Sequence, residues 1–301
     1  EESWIQMALA LHTGERVHII VYDEADEDRV SRKLHDRGCD MQQIDFFKWP
    51  TEDVWVRDNG PIFVYDEIDQ LHVTDWGFNG WGKRYEYQQS NAIPKLVASA
   101  LDLPCTTIPM INEGGSVEID GKGTLMAKRS SILNRNRNPG WNQEDAEAYF
   151  HRYLGATNFI WLDGVKGQDI TDDHIDGTAR FADSKTIVTC YRDDFLNRKE
   201  YDILANAVNT DGEKYRLVHL PLTTRKVVRG EFGFYINYYV ANKAVLVPAF
   251  DDPNDQVAAR KLQAIYGDQR KVVPIPMKEI LKDGGMVHCV TQQQPLPRMN
   301  R

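Results

Sequence analysis

Apolar and polar positions along the chain switch between two periods, and the switches mark out its elements. An opening segment, Glu2 to His12, and five later ones carry apolar residues three and four apart, the spacing of a helix with one buried face. Glu24 to Gly38 carries Val30 and Leu34 and stops at a glycine, while Asn91 to Leu103 carries Ile93, Leu96, Val97 and Leu101. Asn142 to Gly155 starts at a capping asparagine and ends at glycine. The helix from Asn197 has Glu200 three residues on, as in a capping box, and Tyr201, Leu204 and Val208 for its buried face. The last, Asn254 to Gly267, presents Ala258, Leu262 and Ile265 as one stripe.

After each of the five comes a short strand-type run: Gln43 to Phe46, Thr106 to Pro109, Phe159 to Leu162, Arg216 to Pro221 and Val272 to Ile275. A polar or glycine-rich loop follows each run, and beyond most loops the pattern alternates as in a hairpin, for example Val117 to Ala127 and Phe181 to Tyr191. With Asp58, Glu113, His174, Asn237 and Cys289 as loop markers, the differences in position are 55, 61, 63 and 52 residues. Element order therefore repeats although sequence does not. The rhythm predicts an α/β fold of small repeated modules, each sending its loop toward a common centre; an ordinary α/β sheet with loops at its strand ends fits the same rhythm. No Pro/Gly-rich linker interrupts it, so residues 1–301 read as a single domain.

Composition narrows the partners. With 36 Lys and Arg against 45 Asp and Glu, the net charge of −9 disfavours a grip on nucleic acid and suits a cationic substrate. No apolar run approaches the roughly 20 residues of a membrane span, and the first residues lack a basic-then-apolar signal. The four cysteines, Cys39, Cys105, Cys190 and Cys289, form no CxxC pair, so zinc-ribbon spacing and a disulfide framework are both disfavoured and a reducing, cytoplasmic setting is expected. The chain opens inside a predicted helix, which leaves room for residues upstream.

Three segments carry candidate chemistry. Cys289 follows Gly284-Gly285 and His288 and precedes Thr291-Gln292-Gln293-Gln294-Pro295, a polar setting unlike a core position, whereas Cys39, Cys105 and Cys190 read as inert structural thiols. In Asp172-Asp173-His174-Ile175-Asp176 an extended backbone would group the side chains of 172, 174 and 176 on one face. That set could bind a guanidinium and move protons, could ligate manganese as in ureohydrolases, or could be a solvated acidic loop. Trp55-Val56-Arg57-Asp58-Asn59-Gly60-Pro61 reads as a rigid turn whose Arg57 and Asp58 could simply pair, and Glu113 before Gly114-Gly115 could be a turn residue.

Together the segments Trp55 to Pro61, Asn112-Glu113-Gly114-Gly115-Ser116, Leu133-Asn134-Arg135-Asn136-Arg137-Asn138-Pro139, His174-Ile175-Asp176 and Gly284 to Pro295 resemble the agmatine deiminase and bacterial peptidylarginine deiminase family. The resemblance implies the pentein fold, an α/β propeller of five ββαβ modules around an active-site funnel. It implies Cys289 as nucleophile, His174 as general acid and base, Asp58 and Asp176 as carboxylates clamping the guanidinium, Glu113 as a residue steadying the histidine, and Asn237 as a polar residue of the fourth module. Trp55 and Trp81 join Asp58, Asp176 and Asn237 as expected substrate contacts, with Trp81 packed on an aliphatic cation. No metal or organic cofactor is required, and a homo-oligomer is expected by family habit.

Three departures stand out from that family pattern. Asp173 occupies a position where glycine is usual, adding charge that could raise the pKa of His174. An amino-terminal strand containing tryptophan is missing, and the 229–234 stretch is short. In place of paired arginines for an α-carboxylate the chain has Gly77-Phe78-Asn79-Gly80-Trp81-Gly82-Lys83, so agmatine, giving N-carbamoylputrescine and ammonia, is expected ahead of arginine or peptidylarginine giving citrulline. A manganese ureohydrolase and a non-catalytic binding protein are the rival readings.

Overall fold

Hairpin strands pair antiparallel through short turns, but a third strand running parallel needs a crossover, and this chain supplies a helix for each one. A computed structural model describes residues 1–191 and 196–297. After a helix at Glu2–Leu11, strands β1 (Val17–Val21) and β2 (Ile44–Lys48) pair in parallel, joined through the helix Glu24–Asp36, whose first turn is capped by Asp23. Next, β3 (Ile62–Tyr65) and β4 (Leu71–Gly77) form a hairpin, and the helix Ile93–Ala100 returns the chain to β5 (Cys105–Ile111) parallel to β4.

The same arrangement recurs. β6 (Val117–Ile119) and β7 (Thr124–Lys128) lead through the helix Gln143–Leu154 to β8 (Asn158–Leu162), and β9 (Ala179–Asp183) and β10 (Thr186–Cys190) lead through the helix Arg198–Asn206 to β11 (Arg216–Leu220). A separate ribbon of β12 (Leu222–Val228) and β13 (Glu231–Phe234) precedes β14 (Tyr239–Val240), β15 (Ala244–Ala249), the helix Pro253–Tyr266 and β16 (Lys271–Pro276). In every three-stranded sheet the second hairpin strand is central, between an antiparallel neighbour and a parallel one. Among the described residues the strands form six separate sheets of two or three strands.

Side-chain alternation explains why the middle of β7 and the end of β8 are apolar on both faces. On β7 and β8, Leu125, Ala127 and Trp161 face a core with Trp76, Ile108, Ala146 and Phe150, while Met126, Ile160 and Leu162 face a second core with Ile187, Leu204 and Tyr215. Both faces of that sheet are covered, so no polar face is needed. The helix Gln143–Leu154 is held at its start by a capping box between Asn142 and Asp145 and at its end by the left-handed Gly155.

The described chain separates into two densely packed units, residues 1–51 with 221–287 and residues 52–220 with the segment from His288 onward. Three local expectations are corrected. Val208 lies beyond the end of its helix and is exposed, because the chain turns at Ala207 into an extended bridge with Lys214. The helix expected from Asn91 to Leu103 is tighter at its start, a 3-10 turn at Ser90–Ala92, and ends at Ala100. Cys105 begins strand β5 and is exposed, unlike the buried Cys39 and Cys190. No described helix is long and apolar enough to cross a membrane.

Candidate active site

One-turn helices, rather than the long ones, hold the candidate residues. Asp53 accepts hydrogen bonds from the Trp55 backbone N–H (2.8 Å) and the Asn59 amide (2.7 Å), which closes the turn Val56–Asn59 and buries Asp58 on it. The Arg57 N–H donates to the Cys289 carbonyl at 3.1 Å, and its guanidinium donates to Gln292 (2.7 Å), Gln293 (2.8 Å) and the His288 carbonyl (3.4 Å). Arg57 therefore does not pair with Asp58; it clamps the segment that bears Cys289. Glu113 precedes the 3-10 turn Gly114–Ser116, and His174 precedes the 3-10 turn Ile175–Gly177 that carries Asp176.

These turns converge on one point beside Gly115. A Cβ at Gly115 would lie 2.7 Å from His174 Nδ1, 2.8 Å from Asp58 Oδ1 and 3.2 Å from Asp176 Oδ2. Any other residue there would displace His174 or Asp58 and crowd Asp176, so glycine leaves the space these groups need. The Cys289 thiol reaches Asp176 Oδ2 at 3.9 Å. The three side chains are at least nine-tenths buried, and Glu113 lies behind them with Oε2 3.2 Å from His174 Nε2.

Burial alone would strip the charges from this cluster, and the contacts decide which survive. For His174 burial pushes the pKa down, but Asp58, the Glu113 hydrogen bond and Asp176 outweigh it and leave the value at about 9. Asp176 is pushed up to about 6 by burial and by Asp58 and Glu118, against the pull of His174 and Arg180. Asp58 is likewise raised by burial and Glu113. Burial also presses Glu113 upward, yet His174 and Arg137 prevail and hold it below the usual carboxylate range. Carboxylates outnumber cations around the point beside Gly115, a setting that favours a cationic ligand.

Behind the cluster run two chains of buried polar contacts. In one, Arg137 donates from Nε to Glu113 (2.8 Å) and from Nη1 to Asp172 (2.7 Å), and Asp172, held at a pKa of about 2 against burial by Arg84 and its other donors, also takes Arg84 at 3.0 Å. In the other, Glu118 accepts from Arg180 Nε at 2.6 Å, Arg180 Nη2 meets His288 Nε2 at 3.0 Å, and His288 Nδ1 lies 2.7 Å from Asp176 Oδ2. The two buried histidines are driven in opposite directions. His174 faces carboxylates and is raised, whereas His288 is held well below its ordinary value by burial, Arg180 and Arg57.

Three further expectations change. The 172–176 segment is not extended: Asp172 (φ 63°) and Asp173 (φ 74°) are left-handed, which turns Asp172 to the arginines and separates it from His174 and Asp176. The charge of Asp173 is partnered by the fully buried Lys128, which offsets the extra negative charge expected beside the histidine. Trp81 is buried, and its indole N–H donates to Asp58 Oδ2 at 2.9 Å, so it positions a carboxylate where ring packing on a ligand was expected. It does so from a left-handed turn, Gly80 to Lys83 with φ of 64°, 52°, 86° and 63°, which Asn79 caps by accepting from Gly82 N–H.

A model of the Porphyromonas-type peptidyl-arginine deiminase family matches residues 1–295. The chain belongs to this family. It is 35% identical over 267 residues to a Streptomyces coelicolor protein described as a candidate agmatine deiminase, covering 84% of this chain and 78% of that one. A solved Porphyromonas gingivalis structure described as a candidate arginine deiminase matches with TM-score 0.87 and 29% identity over 98% of this chain and 89% of that one. A cysteine-to-serine variant of the C. jejuni agmatine deiminase with substrate bound matches with TM-score 0.84 and 26% identity over 96% and 85%.

Within this deiminase-family chain, Asp58, Glu113, His174, Asp176, Trp81 and Cys289 gather in one unit, with Trp55 half-buried on the same turn as Asp58. Asn237 is buried in the other unit, in the stretch between β13 and β14. Glu118, Arg180, Arg137 and His288 were not assigned roles from sequence. A signal was there for two of them: Glu118 and Arg180 are charged residues flanked on both sides by apolar ones in strand-type runs, and both are buried.

Proposed function

We propose that this chain hydrolyses the guanidino group of a small cation, agmatine, to a ureido group and ammonia through a covalent bond to Cys289. The observation that carries the reading is the convergence of Asp58, His174 and Asp176 on the point beside Gly115, with the Cys289 sulfur at Asp176. Two carboxylates can hold the edges of a planar guanidinium by paired hydrogen bonds and so fix its carbon before the sulfur. The cation in turn favours the thiolate.

The Cys289 thiolate then bonds to the guanidinium carbon, and the electron pair of the C=N bond moves onto nitrogen. The tetrahedral adduct expels one amino group as its C–N bond breaks, and His174, protonated at neutral pH, supplies the proton that makes it ammonia. The S-alkylthiouronium left behind is attacked by water, which passes one proton to His174; the C–S bond breaks, the thiolate is restored, and the second water proton leaves as the carbonyl forms and converts the released ammonia to ammonium. Glu113 stabilises the imidazolium before ammonia leaves and again after water is deprotonated. The same reading takes the repeated hairpin, helix and strand units, with the β1–β2 unit as the fifth, to be modules of the pentein fold.

For the substrate, the family model names peptidyl-arginine, whereas the S. coelicolor and C. jejuni relatives carry the agmatine name. The agmatine reading is favoured because Arg84, a cation that could meet an α-carboxylate, is tied to Asp172 and the Ile170 carbonyl. Asp172 is equally committed to two guanidiniums, which weighs against manganese ligation through 172, 174 and 176.

Ammonia release from agmatine, free arginine and a blocked arginine peptide tests class and substrate together. Agmatine should be turned over fastest, Cys289→Ala should abolish release, and EDTA should have no effect. Urea as product, with activity lost to EDTA and kept in Cys289→Ala, would sink the proposal.

A further inference from the structure

The residue before the nucleophile is in the wrong place to be a spare proton carrier. His288 is 3% exposed, with Nδ1 2.7 Å from Asp176 Oδ2 and Nε2 3.0 Å from Arg180 Nη2. A guanidinium has donors and no acceptor, so the Nε2 that Arg180 meets must accept. The neutral ring then carries its hydrogen on Nδ1, and that hydrogen points at Asp176. Glu118 fixes the lock from behind by accepting Arg180 Nε at 2.6 Å. His174 shows the contrast: Glu113 and Asp58 face its two nitrogens at 3.2 and 3.6 Å, and both can only favour N–H.

We infer that His288 is a positioning residue for the proposed deimination: a neutral imidazole, locked as the Nδ1–H tautomer by Arg180 and Glu118, that holds the Oδ2 of Asp176 beside the Cys289 sulfur. The inference rests on the functional reading above. Its chemical sense lies in the charged and titratable groups around Asp176, among them Asp58, Glu118, His174, Arg180, His288 and Cys289. Burial and two carboxylates press Asp176 toward its protonated form, in which it would lose its hold on a guanidinium. A donor that never becomes a cation steadies the carboxylate and fixes its orientation without repelling the substrate. A second imidazolium here would cancel part of the negative field that draws the cation in.

Two substitutions and one spectrum test this. His288→Leu removes the donor, and His288→Asn keeps an N–H in the Nδ1 position. With His288→Leu, the KM for agmatine should rise about tenfold or more, the loss expected for one hydrogen bond to a charged group. The acid limb of kcat/KM should also move upward, with kcat changing less than KM. His288→Asn should recover most of both effects.

Independently of activity, 15N-histidine spectra of the wild-type protein should show one neutral Nδ1–H ring that does not titrate between about pH 5 and about pH 9. Arg180→Met should release that ring to titrate or change tautomer. An Nε2–H tautomer, a titration near the ordinary histidine value, or folded His288→Leu with the wild-type acid limb would each overturn the inference. If His288→Leu fails to fold by thermal melting, the wild-type spectrum decides. Wild-type protein that releases no ammonia from any guanidine overturns the functional reading, and is told apart because the tautomer result stands by itself.

Discussion

Replacing Glu113 with glutamine removes one buried negative charge while keeping the side chain's shape and an oxygen for Arg137. With Nε2 and Oε2 3.2 Å apart, charge centres about 4 Å apart and an effective dielectric of about 20, the carboxylate is worth at most about 4 kcal/mol to the His174 imidazolium. Arg137 draws on the same carboxylate at 2.8 Å, so about half of that ceiling, roughly 1.5 pKa units, is the working figure. The His174 pKa should then fall from about 9 to roughly 7.5. Because protonated His174 is the proposed donor to ammonia, the alkaline limb of kcat should move down with it. At about pH 7 the rate should change by less than about twofold, whereas at about pH 8.5 it should drop by nearly tenfold. The assay is ammonia release from agmatine across pH, with circular dichroism to show that the variant is folded. An alkaline limb that stays within about half a unit of wild type would refute Glu113's share in the raised pKa beside that of Asp58, and an equal loss at every pH would leave Glu113 only a role in positioning.

Arg57→Met should cost about 3 kcal/mol of stability, because Gln292, Gln293 and the His288 carbonyl lose a charged donor, and should lower kcat by loosening Cys289; an unchanged urea midpoint would contradict the clamp. Asp173→Gly relieves a left-handed aspartate but strands the fully buried Lys128, so it should destabilise by about 3 kcal/mol, and adding Lys128→Met should recover most of that; additive costs in the double-mutant cycle would mean the pair is not coupled. His174 has a folded pKa above its unfolded one, so its contribution to stability is complete below about pH 6.5 and is lost as pH rises through about 9. Denaturant titrations should show about 3 kcal/mol lost across that window in wild type and less in His174→Gln. Asp58→Asn should raise the KM for agmatine by about 10- to 100-fold, and a KM unchanged from wild type would remove Asp58 from the guanidinium clamp.

The chain by itself determined its elements and their order, because those depend on interactions a few residues long. Asn142 with Asp145 starts one helix, Gly155 stops it, and the alternating run Val117 to Ala127 announces the β6–β7 hairpin. The segments bearing Cys289, His174, Asp176 and Asp58 were legible too, but only together: each alone could be a turn, a solvated acidic loop or an inert thiol, and their joint order carried the family resemblance. Tertiary structure decided who meets whom. Glu113 reaches His174 across 61 residues, Glu118 reaches Arg180 across 62, and His288 reaches Asp176 across 112, spacings that carry no periodic signal. The same distinction separates Asp172 from Asp176: both belong to one acidic motif, but two left-handed residues send the first to Arg137 and Arg84 and leave the second beside the sulfur. Protonation followed from those meetings. Both histidines are buried, which disfavours charge on either ring; the carboxylates around His174 outweigh that, whereas His288, although Asp176 lies 2.7 Å from its Nδ1, is held down by burial and by the Arg180 and Arg57 guanidiniums, and only the folded chain brings those charges together.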